Sequence, residues 1–249
     1  IPTLKYNADT IIYMYYGNPK VPSPTANPTG VWNSNYKGVW HLHQSFTDST
    51  VNANNGTNNG TTDVGGEIAN GRDFNGTSNS ISVADNASLH ISNYLSVEAW
   101  INPDVLGSSS WYTVISKFAG TQGDLYVVFN GSELIVNLNP VTSGEWYTGV
   151  NFSTGGWQHL AVTYDGAHVR VYRNGVNNDI HSPNPGNDTL DATGALTLGS
   201  NTNLLYMGYN TAYTEYWDGK IDEVRISNVA PSACWIGTEY YNQYSPSTY

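Results

Sequence analysis

Short stretches in which apolar and polar residues alternate recur through most of the chain. Residues 95–101 (LSVEAWI) show the two-residue period of a half-buried β-strand. Asn-Gly pairs such as Asn174-Gly175 separate these stretches and favour tight hairpin turns. The stretches that we predict to be strands are residues 39–43, 72–74, 80–83, 95–101, 112–118, 125–130, 133–139, 147–150, 158–165, 168–173, 196–199, 207–210 and 220–227.

Helical periodicity is absent from the chain before residue 231. The single predicted helix covers residues 232–241, with Pro231 at its start, where a proline is well tolerated. Many short strands with regularly spaced turns are typical of antiparallel sandwiches and barrels. We therefore predict an all-β fold, an antiparallel two-sheet β-sandwich with a short C-terminal helix.

The first 30 residues differ from the rest of the chain. Residues 9–18 have the composition of a strand, and the prolines that follow (Pro19, Pro22, Pro24 and Pro28) favour an extended linker. We expect residues 1–30 to be an N-terminal strand and linker that ends a preceding domain. Residues 31–230 then form the sandwich, and residues 231–249 form the helix and tail. Because the chain begins at Ile1 rather than Met, we interpret it as a processed or excised piece.

The charge balance excludes some partners. Charged residues make up only 12% of the chain, and 9 Lys and Arg against 20 Asp and Glu leave a net charge of −11. No basic patch is present, which argues against nucleic-acid binding and against attraction to anionic membranes. No apolar run reaches the roughly 18 residues of a membrane-spanning helix, so we expect no membrane insertion. The single cysteine, Cys234, excludes an intrachain disulfide.

The remaining composition favours an extracellular protein. The chain has 19 Tyr and 8 Trp but only 2 Met. Asn-x-Ser/Thr sequons, which are compatible with export, begin at Asn55, Asn59, Asn75, Asn86, Asn130, Asn151 and Asn187. We therefore expect a secreted or cell-surface location.

Asp222 is out of place in the pattern of the last strand. In a regular strand it shares a face with Val224 and Ile226, which are apolar. A carboxylate directed toward a core is costly unless it is paired, hydrogen-bonded or bound to a metal. The candidates for a partner are a cation, a loop of oxygen donors that includes Asp48, or an arginine (Arg72 or Arg225).

Several segments resemble the laminin-G-like members of the concanavalin A-like lectin/glucanase superfamily. They follow the family's order and span about residues 36–229. The segments include Val39-Trp40-His41-Leu42, Gly71-Arg72-Asp73-Phe74-Asn75-Gly76, Leu95-Ser96-Val97-Glu98-Ala99-Trp100-Ile101, Gly156-Trp157-Gln158-His159-Leu160, Val171-Tyr172-Arg173-Asn174-Gly175 and Asp218-Gly219-Lys220-Ile221-Asp222. Residues 15–18 and 235–243 also resemble the flanks of this module in prokaryotic surface proteins, where it follows a small β domain of unknown function. The resemblance implies a jelly roll of two curved sheets.

The same resemblance implies a structural calcium ion. In the family, the ion joins an early Asp-containing loop to the Asp of the closing strand. The positions that match are Asp48 and Asp222 as carboxylate ligands, with Asn52 or Asn54 and the Gly71 carbonyl as weaker candidates. Calcium prefers six to eight oxygen ligands, and residues 48–56 are rich in them. The alternative is that Asp222 pairs with an arginine and that the Asp48 loop is an ordinary Asx turn.

Aromatic residues at predicted loops and strand ends are candidates for sugar binding. Sugar rings stack on exposed aromatic rings, and their hydroxyl groups hydrogen-bond to neighbouring polar side chains. The candidates are Trp111, Tyr112, Trp146, Tyr147, Tyr209, Tyr213 and Trp217. The alternative for each is plain packing.

Catalytic patterns are not evident in the sequence. Glucanases of the superfamily carry carboxylates as Glu-x-Asp-x-x-Glu, and neither this spacing nor Gly-x-Ser-x-Gly occurs. His41 and His43 share a predicted strand face, but two histidines alone do not make a zinc or copper site.

We therefore expect a non-catalytic, calcium-stabilised module for carbohydrate binding or adhesion, whose partner is a glycan or a neighbouring surface protein. The alternatives are an assembly module of an extracellular layer or filament and, less favoured, a glycoside hydrolase.

Overall fold

Two antiparallel β-sheets packed face to face form the protein, followed by one C-terminal helix. The computed structural model describes residues 19–20, 27–108, 110–119, 122–142, 144–177 and 189–246. The predicted all-β sandwich and its terminal helix are confirmed. The predicted strand at residues 9–18 lies outside the described residues.

Seventeen strands are present among the described residues. They are β1 Tyr36–Trp40, β2 Gly56–Asn59, β3 Thr62–Gly65, β4 Asn70–Asn75, β5 Ser80–Val83, β6 Leu95–Pro103, β7 Trp111–Ala119, β8 Gln122–Asn130, β9 Glu133–Asn137, β10 Trp146–Asn151, β11 Gln158–Tyr164, β12 His168–Arg173, β13 Thr189–Asp191, β14 Leu205–Met207, β15 Tyr209–Asn210, β16 Glu215–Tyr216 and β17 Asp218–Ser227.

The strands form an eight-stranded sheet, a seven-stranded sheet and a two-stranded hairpin. The eight-stranded sheet has the order β13-β12-β11-β6-β17-β4-β3, and β1 also pairs with β17. The seven-stranded sheet has the order β10-β9-β8-β7-β14-β5-β2, and β15 pairs with β16. Some neighbours, such as β17 beside β6 and β14 beside β5, come from distant parts of the chain, so each sheet needs distant segments to fold together.

The core lies between the two sheets and follows the two-residue period of the sequence. In β6, Leu95, Val97, Ala99 and Ile101 are all buried in the main apolar cluster. Ile101 lies opposite Ile221 of β17, so the central strands present matching apolar side chains to the core.

Four strands were not predicted, and one predicted strand is wrong. Strands β2, β3, β13 and β16 are two to four residues long and polar, so they show no apolar period. Residues 196–199 were predicted as a strand, but Thr197–Ser200 form a 3-10 turn. Leu196 and Leu198 of this segment are nevertheless buried. Their apolar spacing reports burial rather than an extended backbone.

Helix α1 (Ala233–Tyr244) packs against the outer face of the eight-stranded sheet. The Ser232 side chain accepts a hydrogen bond from the Trp235 N–H and caps the helix. Ile236 is buried with Ala161 of β11. Tyr240 stacks on Trp100 of β6 with the ring centroids 5.6 Å apart. No described helix is long and apolar enough to cross a membrane.

A network of charged side chains is buried beneath α1. Arg225 of β17 donates to Glu223 at 3.1 Å and to Glu239 of α1 at 3.2 Å. Burial, together with repulsion from Glu239, raises the pKa of Glu98 well above its usual value of 4.5. Burial and the charge of Arg225 lower the pKa of His159 to about 3, so this imidazole is neutral. Glu98 therefore prefers to be protonated where the helix covers it.

Glu98 makes the stability of the protein, with helix α1 packed on the sheet, sensitive to pH. Because its pKa is higher in the folded state than in the unfolded state, its contribution to stability falls as the pH rises above about 4.5. We expect Glu98→Gln to remove this fall. The difference in free energy of unfolding between the variant and the parent should therefore shift in favour of the variant by on the order of 1–3 kcal/mol from about pH 5 to about pH 9. Urea unfolding at the two pH values measures the difference.

Glu133→Gln, in the other sheet, is the matched control for this measurement. An equal free-energy difference between the parent and Glu98→Gln at both pH values would contradict the assignment.

Candidate functional site

The Asp48 carboxylate organises the loop between β1 and β2. Its Oδ1 accepts hydrogen bonds from the backbone N–H groups of Val39 and Thr50, at 2.9 Å each. Its Oδ2 accepts from the Thr50 hydroxyl and from the Asn54 N–H, both at 2.8 Å. Because a carboxylate has about four lone-pair positions, these contacts fill its acceptor capacity.

The two candidate asparagines tie the Asp48 loop to β1. Asn52 Nδ2 donates to the Tyr36 carbonyl at 3.1 Å, and Asn54 Nδ2 donates to the Lys37 carbonyl at 2.6 Å. Asn54 Oδ1 is buried without a hydrogen-bond partner. This atom is the acceptor in the loop that remains open to a donor or a cation.

Asp222 does not lie on the face that the sequence predicts. The register of β17 shifts between Asp222 and Arg225, and Glu223 has a left-handed φ of 48°. This bulge inserts one extra residue into the strand and so inverts the alternation on one side of it. Val224 faces the core, whereas Asp222 lies opposite Trp100, whose ring packs on α1 outside the core. The prediction that Asp222 shares a face with Val224 and Ile226 is wrong.

The Asp222 carboxylate is enclosed by the hairpin that joins β3 and β4. It accepts hydrogen bonds from the N–H groups of Ile68 and Glu223, both at 2.9 Å. A Cβ atom on Gly66 would lie 2.4 Å from its Oδ2, and one on Gly71 would lie 3.1 Å from its Cβ. Only glycine permits this close approach. Burial raises the pKa of Asp222 to about 7.

Neither arginine proposed as a partner of Asp222 pairs with it in the described contacts. Arg72 pairs with Asp63 at 3.5 Å and donates from Nε to a main-chain carbonyl. Arg225 pairs with Glu223 and Glu239. The hydrogen bonds from backbone N–H groups replace the expected salt bridge.

A cavity of about 580 Å³ adjoins both predicted metal-binding segments. Asp48, Ile68 and Glu223 all line it. The His41 ring lines it too, with Nδ1 2.7 Å from Glu223 Oε1. Four residues in the surrounding segments have positive φ, which is uncommon outside glycine: Leu42, Gln44, Ala69 and Glu223.

As placed, these side chains do not form a calcium cage. Among the described residues no group of three or more His, Cys, Asp or Glu side chains is arranged to hold a metal ion. The four hydrogen bonds to Asp48 leave it no free acceptor position. His43 also lines the cavity, but no third ligand joins the histidines. The calcium ion stays a prediction.

A second group of predicted residues surrounds a hairpin on the outer face of the seven-stranded sheet. Strands β15 and β16 form this hairpin, hereafter hairpin 209–216. Ser116 of β7 donates to the Tyr209 carbonyl at 2.7 Å. Glu215 Oε2 accepts hydrogen bonds from the Tyr126 hydroxyl, from the Thr113 hydroxyl at 3.3 Å, and from Asn210 Nδ2 at 3.3 Å. One carboxylate therefore fixes the hairpin to β7 and β8.

Tyrosine rings cover this side of the sheet. Tyr209 stacks on Tyr216 at 4.5 Å and meets Tyr206 of β14 edge-on at 5.3 Å. Tyr213, at the hairpin tip, meets Phe118 at 5.7 Å and is 51% exposed. We call the surface formed by Tyr147, Tyr206, Tyr209, Tyr213 and Tyr216 the tyrosine face.

Polar side chains extend across the sheet beside these rings. Strand register places one continuous row of directly opposed residues on the outer face. From β9 to β2 the row is Asn137, Tyr126, Ser116, Tyr206, Ser82 and Thr57. Tyrosine rings and hydrogen-bonding groups thus occur on one surface.

The structure separates the predicted aromatic candidates into two sets. Tyr147 is 41% exposed and lies opposite Ile135, which faces outward. Trp111 packs against the same outer apolar cluster. Tyr112 and Trp146 instead pack against the main core. Each adjacent pair, 111–112 and 146–147, divides in this way because side chains alternate along a strand.

The prediction that Trp217 is a sugar-binding residue is wrong. Its side chain is 0% exposed and lies 5.7 Å from the Phe129 ring in the core. The sequence places it between a tyrosine-rich loop and the last strand, and that position does not reveal its direction. A ring enclosed in this way is not accessible to a sugar.

Sequence reasoning missed the residues that hold the face together. Glu215 gave no signal beyond being an isolated acidic residue within an aromatic loop. Tyr126 and Asn210 meet it only in three dimensions. Such a contact depends on the register of distant strands, which the sequence does not show.

These features define an antiparallel jelly-roll β-sandwich with an aromatic and polar outer face on one sheet. The chain belongs to the concanavalin A-like lectin/glucanases superfamily, because the model of this family matches residues 75–237. The family resemblance in the sequence is confirmed. No match to a curated protein was found.

Solved structures share the fold at low sequence identity. Domain 4 of AbnA, a GH43 extracellular arabinanase from Geobacillus stearothermophilus, in complex with arabinotriose, is 22% identical with a TM-score of 0.62. The match covers 82% of this chain and 97% of that domain. The binding domain of Paraclostridial Mosquitocidal Protein 1 is 15% identical with a TM-score of 0.66, and the match covers 85% of this chain and 53% of that domain.

The binding domain of botulinum neurotoxin DC, in complex with rat synaptotagmin II, is also similar. It is 12% identical with a TM-score of 0.62, and the match covers 84% of this chain and 52% of that domain. The chain thus spans about half of each toxin binding domain.

The role of Asp222 is tested by pH and by calcium. Because burial raises its pKa from 3.8 to about 7, its contribution to stability falls as the pH rises through that window. We expect Asp222→Asn to flatten this fall by on the order of 1–3 kcal/mol. The substitution also loses a hydrogen bond, so the slope of stability against pH is the readout.

Asp191→Asn, at an exposed carboxylate, is the control for this slope. An unchanged slope in Asp222→Asn would contradict the buried-carboxylate account. The same proteins test the ion: a calcium-dependent rise in Tm that Asp222→Asn lacks would establish it, and EDTA-insensitive melting would reject it.

Proposed function

We propose that this chain is a non-catalytic, extracellular module that binds glycans on its tyrosine face. The observation that carries the proposal is the fixed position of hairpin 209–216, which presents tyrosine rings on the same sheet face as the hydroxyl groups of Ser82 and Thr57. Solvent reaches part of this surface at Tyr147 and Tyr213.

The chemistry of the tyrosine face suits a sugar chain. The apolar side of a pyranose or furanose ring stacks on an aromatic ring, while its hydroxyl groups both donate and accept hydrogen bonds. Ser82 and Thr57, which are not buried, offer hydroxyl partners along one row. The hairpin is anchored before any ligand arrives, so binding requires little ordering of the protein.

The comparisons support a binding role without specifying the ligand. The similar arabinanase domain was solved with arabinotriose, and a similar botulinum neurotoxin was described as interacting with two ganglioside molecules. Both are glycan-bearing molecules. The arabinanase is an extracellular enzyme, which agrees with the extracellular composition of this chain.

The use of the carboxylates supports a non-catalytic role. Glu215, the acidic residue at the centre of the tyrosine face, is engaged by three hydrogen bonds that hold the hairpin. The Glu-x-Asp-x-x-Glu pattern of the superfamily's glucanases is absent from the sequence. Calcium, if it binds, would support the fold rather than a reaction.

An assembly module is the second candidate, and one observation favours it. Helix α1 exposes Trp235, Tyr241 and Tyr244 by about half. Trp235 also lines an apolar groove of about 260 Å³ beside Tyr36. We expect sedimentation to show a monomer if glycan binding is the main role. A Trp235→Ala-sensitive oligomer would favour assembly.

The tyrosine face is tested by substitution and glycan binding. We expect Tyr209→Ala or Tyr213→Ala to weaken binding on a glycan array, or in calorimetry with a glycan found there, by about tenfold, the factor that about 1.4 kcal/mol gives. Tyr94→Ala, which removes a 50% exposed tyrosine outside the tyrosine face, should bind as the parent does. Binding that neither Tyr209→Ala nor Tyr213→Ala weakens would refute the site.

A further inference from the structure

The tyrosine face carries negative charge. Glu215 lies at its centre, where the hydrogen bonds of Oε2 hold it in place. Glu133 of β9 is two residues from the outward-facing Ile135, so it belongs to the same side of the sheet, and its Oε1 accepts from the Gly149 N–H at 2.9 Å. Glu145, an exposed residue, directly precedes β10.

Glu145 and Glu215 are close enough to influence each other. Burial, with repulsion from Glu215 added to it, raises the pKa of Glu145. Glu145 therefore adds a second carboxylate within electrostatic reach of Glu215, two residues before the exposed Tyr147 of β10.

The cationic side chains whose contacts the structure describes are engaged elsewhere. Lys117 comes from β7 but points to the inner side, opposite Leu125, where it is buried against Asp85. The other pairs are Lys37 with the Ser34 carbonyl, Lys220 with Asp104, Arg72 with Asp63, Arg170 with Asp165, Arg173 with the Asn151 carbonyl, and Arg225 with Glu223 and Glu239.

From this distribution of charge we propose that the tyrosine face selects uncharged glycans and rejects those that carry carboxylates, such as sialic or uronic acids. The inference rests on the proposed glycan binding at this face and specifies its ligand class. An acidic sugar would lose hydration there without gaining a partner among the cationic side chains named above. It would also meet three carboxylates on a protein whose net charge is −11. A neutral sugar keeps the stacking and hydrogen bonds and avoids both costs.

The test is a glycan array in which each sialylated or uronate-containing glycan is paired with its carboxyl methyl ester. The ester has the same sugar chain but no charge, so the pair isolates the electrostatic effect. We expect the ester to bind at least about tenfold more tightly than the acid at low salt. This gap in affinity between ester and acid should narrow as the salt concentration rises toward about 0.5 M, because exposed charges are then screened.

Two variants locate the effect. Glu145→Gln and Glu133→Gln should each narrow the gap between ester and acid without weakening binding of the ester. Glu67→Gln, which lies in the β3–β4 hairpin of the other sheet, is the matched control and should leave the gap unchanged.

The outcomes separate the inference from the function on which it rests. Acids that bind as tightly as their esters, or more tightly, overturn the inference while the proposed function stands. An unchanged gap in both Glu145→Gln and Glu133→Gln also overturns it. A failure of every glycan to bind overturns the proposed function and the inference together.

Discussion

The register shift in β17 is the constraint on which the eight-stranded sheet depends. This strand pairs with β6 on one side and with β4 and β1 in succession on the other. Its bulge at Glu223 lets Ile221 and Val224 both reach the core. The same bulge turns Asp222 and Arg225 outward, to the hairpin of β3 and β4 and to helix α1. One extra residue thus connects the core, the buried carboxylate and the docked helix.

Carboxylates have different roles on the outer faces of the two sheets. Beneath α1, burial and the neighbouring Glu239 raise the pKa of Glu98, so protonation of Glu98 helps the helix to stay docked. On the tyrosine face, Glu215 instead uses its carboxylate to hold a hairpin through neutral donors. The first arrangement closes a surface, whereas the second presents one.

Periodicity predicted most of the fold. The strands at residues 80–83 and 168–173 match their observed bounds, and β6, β7, β11 and β17 differ only at their ends. Long apolar strands were recognised because burial on one face requires alternation. The short polar strands β2 and β16 were missed because two to four mostly polar residues show no apolar period.

The candidate sites were predicted less well, for physical reasons. Alternation along a strand separates Trp111 from Tyr112, so a pair of adjacent aromatics in the sequence contributes only one ring to a given face. The bulge places Asp222 on the outer face of the sheet instead of the core face. No pattern in the sequence predicts the left-handed backbone of Glu223 that forms this bulge. Tyr147, Tyr209 and Tyr213 do lie at the surface or beside it, while Glu215 became visible only when distant strands were paired.

Glycan binding at the tyrosine face is tested most directly by an NMR titration with tyrosine-ring labelling. The probe is the methyl-esterified or neutral glycan that binds most tightly on the array. We expect the ring resonances of Tyr147, Tyr209 and Tyr213 to shift in parallel and to saturate at one Kd, while those of Tyr94 do not shift. Shifts confined to residues around the His41–Glu223 cavity, with the hairpin tyrosines unchanged, would contradict it.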